Sequence, residues 1–450
     1  MIYRFIYMNM KNILFFAALC TAMVLSAGAA EKYRPTDRPA QELRIRDGLP
    51  NFYKKLHDGK NVTIAYFGGS ITAQPGWRVQ SEAYLKKRFP KSKITSVNAA
   101  IGGTGSMLGT FRVQRDVISK SPDLVFVEFA VNDSGQPPPD ILRSMEGIVR
   151  QIWKADPSAD ICFVYTFTAR QLEALKGGKM FASEQTMDDL ADHYAIPSVN
   201  MCLEIAKLEN DGKLVMAAPG GVMTAVAGDS LNSEAQMTKT ADGKIIFSKD
   251  GTHPYPNTGH VFYTRALVNS LEQMEKLPFT ARSMPAPLVA DNLENAKLIA
   301  ANNPALKYSG PAEKAAPKSP AVKGFGNRAD SIMILKPGAE LTFKFKGTLA
   351  QLYDIVGPHG AVVEVDIDGK THKAVRIDGY CTWSRLASFS LGSNLPDSVH
   401  TVKIRVLADK VDKRAALFEK NREYFDSHKA EFDPCELWIA GVMLAGDIIK

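Results

Sequence analysis

Cysteine is scarce in this chain, with five in 450 residues. Cys20 lies in an N-terminal apolar run, which leaves Cys162, Cys202, Cys381 and Cys435 for the rest. That density excludes a disulfide-held scaffold, and no pairing is expected. There is no Cys-x-x-Cys and no His-Glu-x-x-His, so no metal spacing is visible and neither metal nor cofactor is expected. Apolar runs of spanning length are missing too: a bilayer takes about 20 residues, and Ile13 to Leu25 is roughly 13. No stable membrane insertion is expected. Lys and Arg are scattered in groups no larger than Lys86-Lys87-Arg88, whereas a nucleic-acid partner would want a clustered stripe. No internal repeat is found.

The apolar run at the start is preceded by Arg4 and Lys11 and followed by Ser26-Ala-Gly-Ala-Ala30. A basic lead, a short apolar stretch and small residues at its end describe a secretory signal peptide over residues 1–30, hence a secreted or periplasmic protein. Cys20 follows Leu19 rather than a small residue, so it reads as part of the discarded segment. Cleavage takes two positive charges from the formal +7 and leaves +5, a mild charge for so long a chain. A content of 45% hydrophobic and 23% charged residues is that of a soluble globular protein, and the length suggests two domains.

Residues 31–280 alternate strand and helix. Val62 to Phe67, Lys93 to Asn98, Leu124 to Ala130, Ile161 to Thr166 and Ile196 to Asn200 read as strands. Helix-length segments separate them: Arg78 to Phe89, Leu108 to Ser119, Ile141 to Lys154 and Glu184 to Tyr194. Gly259 to Leu277 reads as a closing amphipathic helix. This order implies right-handed βαβ units and a parallel sheet covered on both faces. Asn210 to Lys249 breaks the rhythm and reads as an insertion with short β segments. Residues 281–325, rich in Pro, Ala and Lys, read as a connection. From 326 to 450 the apolar period becomes two, as in Leu341/Phe343/Phe345 and Val402/Ile404/Val406, which predicts an all-β sandwich of jelly-roll size. Lys413 to Lys429 reads as a charged helical interruption.

Chemistry gathers at the strand ends. Ser70 follows Gly68-Gly69 at the carboxyl end of the first strand, where ligands bind in open α/β sheets. Asn98-Ala-Ala-Ile-Gly102-Gly103 ends the second strand, and Val131-Asn132-Asp133 ends the third. Backbone N–H groups at Ser70 and Gly103 with the Asn132 amide can hold an oxyanion. Asp250-Gly-Thr-His253 follows the fifth strand at the same end of the sheet. An Asp and a His three apart can act together, the carboxylate orienting the imidazole whose other nitrogen takes a proton from Ser70.

These four blocks, in this order, resemble the SGNH hydrolase (GDSL-like esterase) superfamily. Its Ser, Gly, Asn and His correspond to Ser70, Gly103, Asn132 and His253, and the Asp of its Asp-x-x-His block to Asp250. The resemblance covers about residues 61–277. It implies a flavodoxin-like three-layer α/β/α fold and an ester substrate cleaved through a Ser70-His253-Asp250 triad and an acyl-enzyme. One departure is Gly68-Gly69-Ser70, where the family usually has Gly-Asp-Ser. The 210–249 insertion is another.

A secreted domain of this kind joined to a β-sandwich resembles bacterial carbohydrate esterases, so an acylated polysaccharide or oligosaccharide, most simply an acetylated one, is the expected substrate. A lipase-type acylhydrolase stands second, for want of a long apolar lid helix. A glycan-binding protein with a vestigial hydrolase domain, and an acyltransferase using the same triad, are the other readings. Trp77 is a candidate for stacking on a sugar ring, against a core role at a helix start. Tyr353, Tyr380 and Trp383 are candidates for a sugar platform in the β half, against packing roles there, and His359 reads as a turn residue.

Overall fold

The computed structural model describes residues 33–220, 237–278, 283–326 and 328–450. The predicted signal peptide lies outside them. In the first half β1 (Leu43–Arg44), α1 (Pro50–His57), β2 (Val62–Gly68), the single turn α2 (Ser70–Ala73), α3 (Trp77–Arg88), β3 (Ile94–Asn98), α4 (Ser106–Asp116) and β4 (Leu124–Glu128) follow one another. Then come α5 (Pro138–Ala155), β5 (Asp160–Tyr165), α6 (Leu172–Lys176), α7 (Ala182–His193), β6 (Ser198–Asn200), α8 (Leu203–Asn210), β7 (Leu214–Ala217), β8 (Ile245–Ser248) and α9 (Gly259–Met274).

The main sheet runs β3-β2-β4-β5-β6, all parallel, with β1 added antiparallel beside β6. Numbered among themselves, the five parallel strands take the order 2-1-3-4-5, the doubly wound flavodoxin-like arrangement. Strand side chains alternate between the faces. Ile64, Tyr66, Phe126 and Val164 pack under α1, α3, α8 and α9. Ala65, Phe67, Val125, Val127, Ile161 and Phe163 pack under α5 and α7. Burial on both faces is why these strands read as continuous apolar runs.

The sequence reading placed the five parallel strands within a residue or two and missed β1, α1, α8 and the short helices α2 and α6. In α1, Pro50 opens the helix, where its missing N–H costs nothing, and Phe52, Tyr53 and Leu56 form its buried face. The 210–249 segment contains β7 and β8, a parallel two-stranded pair, as expected of short β segments.

The second half is one antiparallel ten-stranded sheet of β9 (Ala296–Ala300), β10 (Lys307–Ser309), β11 (Ala312–Lys314), β12 (Met333–Leu335), β13 (Glu340–Val356), β14 (Val362–Ile367), β15 (Lys370–Val375), β16 (Arg385–Gly392), β17 (Ser398–Val406) and β18 (Leu437–Ile449). The first part of β13 pairs with β17, the later part with β16, and the register with β18 shifts between Gly347 and Leu349. Such irregularities let a long strand bend between layers. Phe343, Phe345, Val365 and Ile404 then meet Leu352, Ile439, Val442 and Leu444 in one core. Residues 281–325 are more than a connection: β9 pairs with β18, β10 with β13 and β11 with β12. These strands have three to five residues, too few for alternation to show. The 413–429 interruption is a pair of short helices, Lys413–Ala416 and Arg422–Ser427.

The halves meet along α4. Ile101, Leu108 and Phe111 share an apolar cluster with Leu349, Tyr353, Leu386 and Trp438. The Arg115 guanidinium and the Tyr353 hydroxyl both donate to the Arg328 carbonyl.

Candidate active site

Ser70 is the first residue of α2, immediately beyond the end of β2. Across the sheet end, Asp250 and His253 lie in the turn between β8 and α9. That turn is held from within. Asp250 Oδ1 accepts the N–H groups of Thr252 (2.9 Å) and His253 (2.8 Å), and Ser248 Oγ accepts Gly251 N–H at 2.7 Å. The other carboxylate oxygen, Oδ2, lies 2.7 Å from His253 Nδ1. His253 Nε2 lies 2.9 Å from Ser70 Oγ. With Nδ1–H donated to the carboxylate, Nε2 is left to accept the Ser70 hydroxyl proton. Burial by itself would raise the Asp250 carboxyl, but the hydrogen bonds from His253 and Thr252 outweigh it and hold it below the ordinary carboxylate range. The arrangement can deprotonate a serine as it attacks and return that proton to a leaving group.

Gly103 and Asn132 stand beside Ser70. Gly102 packs on Ser70, 3.5 Å from its Cβ to where a glycine Cβ would stand, and Gly103 follows at φ +72°, a left-handed conformation that favours glycine. No atom beyond its chain neighbours lies within 4 Å of a Cβ built at Gly103, so there is open space on that side of the residue. The Asn132 side chain lies against Gly69, filling the space a Cβ there would need. The departure from Gly-Asp-Ser thus falls at a position with no room for a side chain while Asn132 stands where it does. Any side chain at 69 would displace Asn132.

Sequence reasoning overlooked the groups beneath this layer. Asp133 accepts the Ser106 N–H at 3.1 Å at the start of α4, and burial pushes its carboxyl up to about 6 against that bond. Glu128, buried at the end of β4, accepts Thr72 Oγ1 and Thr166 Oγ1, both at 2.9 Å. His260 Nδ1 accepts the Trp77 N–H at 3.2 Å and fixes the turn after α2, and burial drives this imidazole down to about 3, so it stays neutral. Arg112 donates to the Ala99 and Gly68 carbonyls and lies over the Phe67 ring, 4.4 Å from its centroid, tying the ends of β2 and β3 together. A charged residue inside an apolar stretch was the available signal for Glu128.

Trp77 is a correction. It is fully buried, edge-on to Tyr66 and Phe126, and so offers no face to a sugar. Tyr353 is buried as well and seals the two halves. Tyr380 and Trp383 are exposed. His359 is buried and stacked on Trp438 at 3.7 Å, a packing role.

Beside Gly103 and Asn132 opens a cleft of about 640 Å³. Gln136, Asp140 and Arg143 line one wall, and Gln351, Arg385 and Ser388 of the β half line the other. Among the described residues, Gln351 Oε1 and Arg385 Nε have no hydrogen-bond partner. None of the described helices is long and apolar enough to cross a membrane, and no described cluster of His, Cys, Asp or Glu could hold a metal ion.

Residues 66–221 match the GDSL-like Lipase/Acylhydrolase family, about a third of the chain, taking in Ser70, Gly103 and Asn132. Two solved structures are similar over nearly the whole length. One is a two-domain esterase active on acetylated mannans, with TM-score 0.66 at 19% identity, covering 91% of this chain and 99% of that one. The other is a two-domain esterase active on acetylated mannans co-crystallised with mannopentaose, with TM-score 0.65 at the same identity and coverage. At this identity the likeness is one of fold, and it extends through both halves. A search of curated protein sequences finds no match.

Proposed function

We propose that this chain, whose α/β half is a GDSL-like hydrolase domain of the SGNH superfamily, is a secreted serine esterase that removes acyl groups, acetyl first among them, from a carbohydrate. The observation that carries the reading is the unbroken relay from Asp250 through His253 to Ser70, at 2.7 and 2.9 Å.

In this mechanism Ser70 Oγ attacks the acyl carbon and its proton passes to His253 Nε2. Asp250, kept anionic by its turn, stabilises the imidazolium. The Ser70 and Gly103 N–H groups and the Asn132 amide receive the oxyanion. The sugar oxygen departs with the proton from His253, leaving Ser70 acylated. Water then gives its proton to the same nitrogen, attacks the acyl carbon, and releases the acid and the serine.

Three features favour a carbohydrate substrate cleaved by water. The cleft beside Gly103 and Asn132 presents amide, hydroxyl and charged groups on both walls, which suits a hydroxyl-rich chain better than an acyl tail. The His253 and Asp250 side chains are 38% and 50% exposed, which leaves the imidazole within reach of the water that hydrolysis needs. The two-domain relatives of the same fold are active on acetylated mannans. The test is acid release from acetylated polysaccharides, compared with p-nitrophenyl esters of increasing chain length. Acetate released from a polysaccharide, with hydrolysis falling as the acyl chain lengthens, supports the reading. A rise with chain length favours a lipase.

A further inference from the structure

Among the buried carboxyl groups that the mechanism does not use, Glu128 lies against the nucleophile turn. Glu128 ends β4, in register with Gly68 at the end of β2, directly below the nucleophile turn. It is 1% exposed. Its Oε2 accepts the hydroxyl of Thr72, which belongs to the single helical turn that Ser70 begins. Its Oε1 accepts the hydroxyl of Thr166, just beyond β5. The Gly69 N–H is directed at it as well. The group therefore holds the residue before Ser70 and the residue two after it, and anchors both to the neighbouring strand.

A carboxyl group is a costly way to fill a core position. A buried anion loses its hydration and needs donors or a counter-charge to replace it. Here the charged side chain close enough to act on it is another acid, Asp133, and its other titratable neighbours are Cys202, itself near Glu184, and Tyr263. Three donors from two segments, the nucleophile turn and the residue after β5, converge on it in place of a cation. An apolar residue would fill the same space without desolvation cost and would leave the Thr72 hydroxyl and the Gly69 N–H unheld.

We propose that Glu128 is a positioning residue for Ser70: its carboxylate clamps Gly69 and Thr72 from beneath and so fixes the nucleophile against His253 and Asn132. The inference rests on Ser70 being the nucleophile. Gly69 has no side chain to steady its own turn, and Glu128 supplies the support from the neighbouring strand. Burial raises the Glu128 carboxyl to about 7, with its hydrogen bonds and Asp133 as lesser influences. A protonated Glu128 has one acceptor site fewer for its three donors. The clamp accordingly tightens as pH rises through that value.

The test compares wild type with Glu128→Gln, Thr72→Val and Thr72→Ser. It reads p-nitrophenyl acetate kinetics, thermal stability, and the fraction of Ser70 titrated by a fluorophosphonate. Per titrated Ser70, Glu128→Gln and Thr72→Val should lower kcat by about tenfold to a hundredfold, as a small misplacement of a reacting group does, with KM within about twofold. Thr72→Ser, which keeps the hydroxyl, should recover most of the Thr72→Val loss. The acid limb of kcat should be steeper in wild type than in Glu128→Gln. Wild-type kcat per titrated site in both Glu128→Gln and Thr72→Val, with an unchanged acid limb, would overturn the proposal. So would a loss that only follows the fall in folded protein. If Glu128→Gln does not fold, the Thr72 pair decides. Absence of Ser70 labelling in wild type would instead locate the failure in the underlying premise.

Discussion

Asn132 Oδ1 occupies the place where a side chain at Gly69 would begin, 1.9 Å from a Cβ built there. The two residues follow the ends of neighbouring strands, β2 and β4, and their contact places Asn132 against the residue before Ser70. Restoring the Gly-Asp-Ser of the wider family should therefore damage this enzyme. Gly69→Asp and Gly69→Ala are both expected to lower kcat for p-nitrophenyl acetate by about a hundredfold, the scale of losing one oxyanion donor. The equal effect of Ala is the informative part, because it assigns the loss to space rather than charge. Steady-state kinetics of the two variants check it.

Asp250→Asn is expected to lower kcat by about a thousandfold to ten-thousandfold, because the amide favours the wrong imidazole tautomer. The sign of the Asp250 shift also matters. Its carboxyl is held below the ordinary range, so the anion persists as pH falls through that range, and any stability it lends is lost only below it. Wild-type activity should therefore fall on the acid side before Asp250 itself is protonated. A pH profile of kcat/KM for both proteins reads this.

How much was legible depended on how locally each feature is encoded. The parallel sheet showed because two-sided burial writes continuous apolar runs into β2, β4 and β5, with helix-length segments between them. The Asp250-His253 pair showed because its turn is closed by bonds within four residues. Glu128 was hidden, since its partners Gly69, Thr72 and Thr166 are distant in sequence and nothing in Val-Glu-Phe tells which way the carboxylate turns. Trp77 was ambiguous for a related reason: a tryptophan at a helix start stacks on ligands or fills a core, and only the neighbouring Tyr66 and Phe126 decide. The strands of residues 296–314 were missed because three to five residues cannot display a period.

Glu184 makes a prediction about stability. It is fully buried in α7, its Oε2 lacks a partner among the described residues, and burial pushes its carboxyl well above the ordinary range. The folded state therefore holds a proton that the unfolded chain releases near pH 4 to 5. The resulting stability is present in acid and is lost as pH rises. Glu184→Gln removes that dependence. Its Tm should exceed wild type by several degrees at pH 8 and differ little at pH 5, as thermal melts at the two pH values would show.

Gln351 tests the cleft. It lines, from the β half, the cleft that Gly103 and Asn132 also line, and its buried Oε1 has no hydrogen-bond partner among the described residues. Gln351→Ala should raise KM for an acetylated polysaccharide by about tenfold, the scale of one or two lost hydrogen bonds. Hydrolysis of p-nitrophenyl acetate should be unchanged, because a small ester does not reach that wall. Parallel kinetics on the two substrates check both halves of the statement.

The most direct measurement is the intact mass of the protein after reaction with a fluorophosphonate, with the adduct located by peptide mapping. The account predicts one adduct, on Ser70, matched by loss of p-nitrophenyl acetate hydrolysis, and neither adduct nor activity in Ser70→Ala. Activity retained in Ser70→Ala, or an adduct on another serine that tracks the loss, would contradict it.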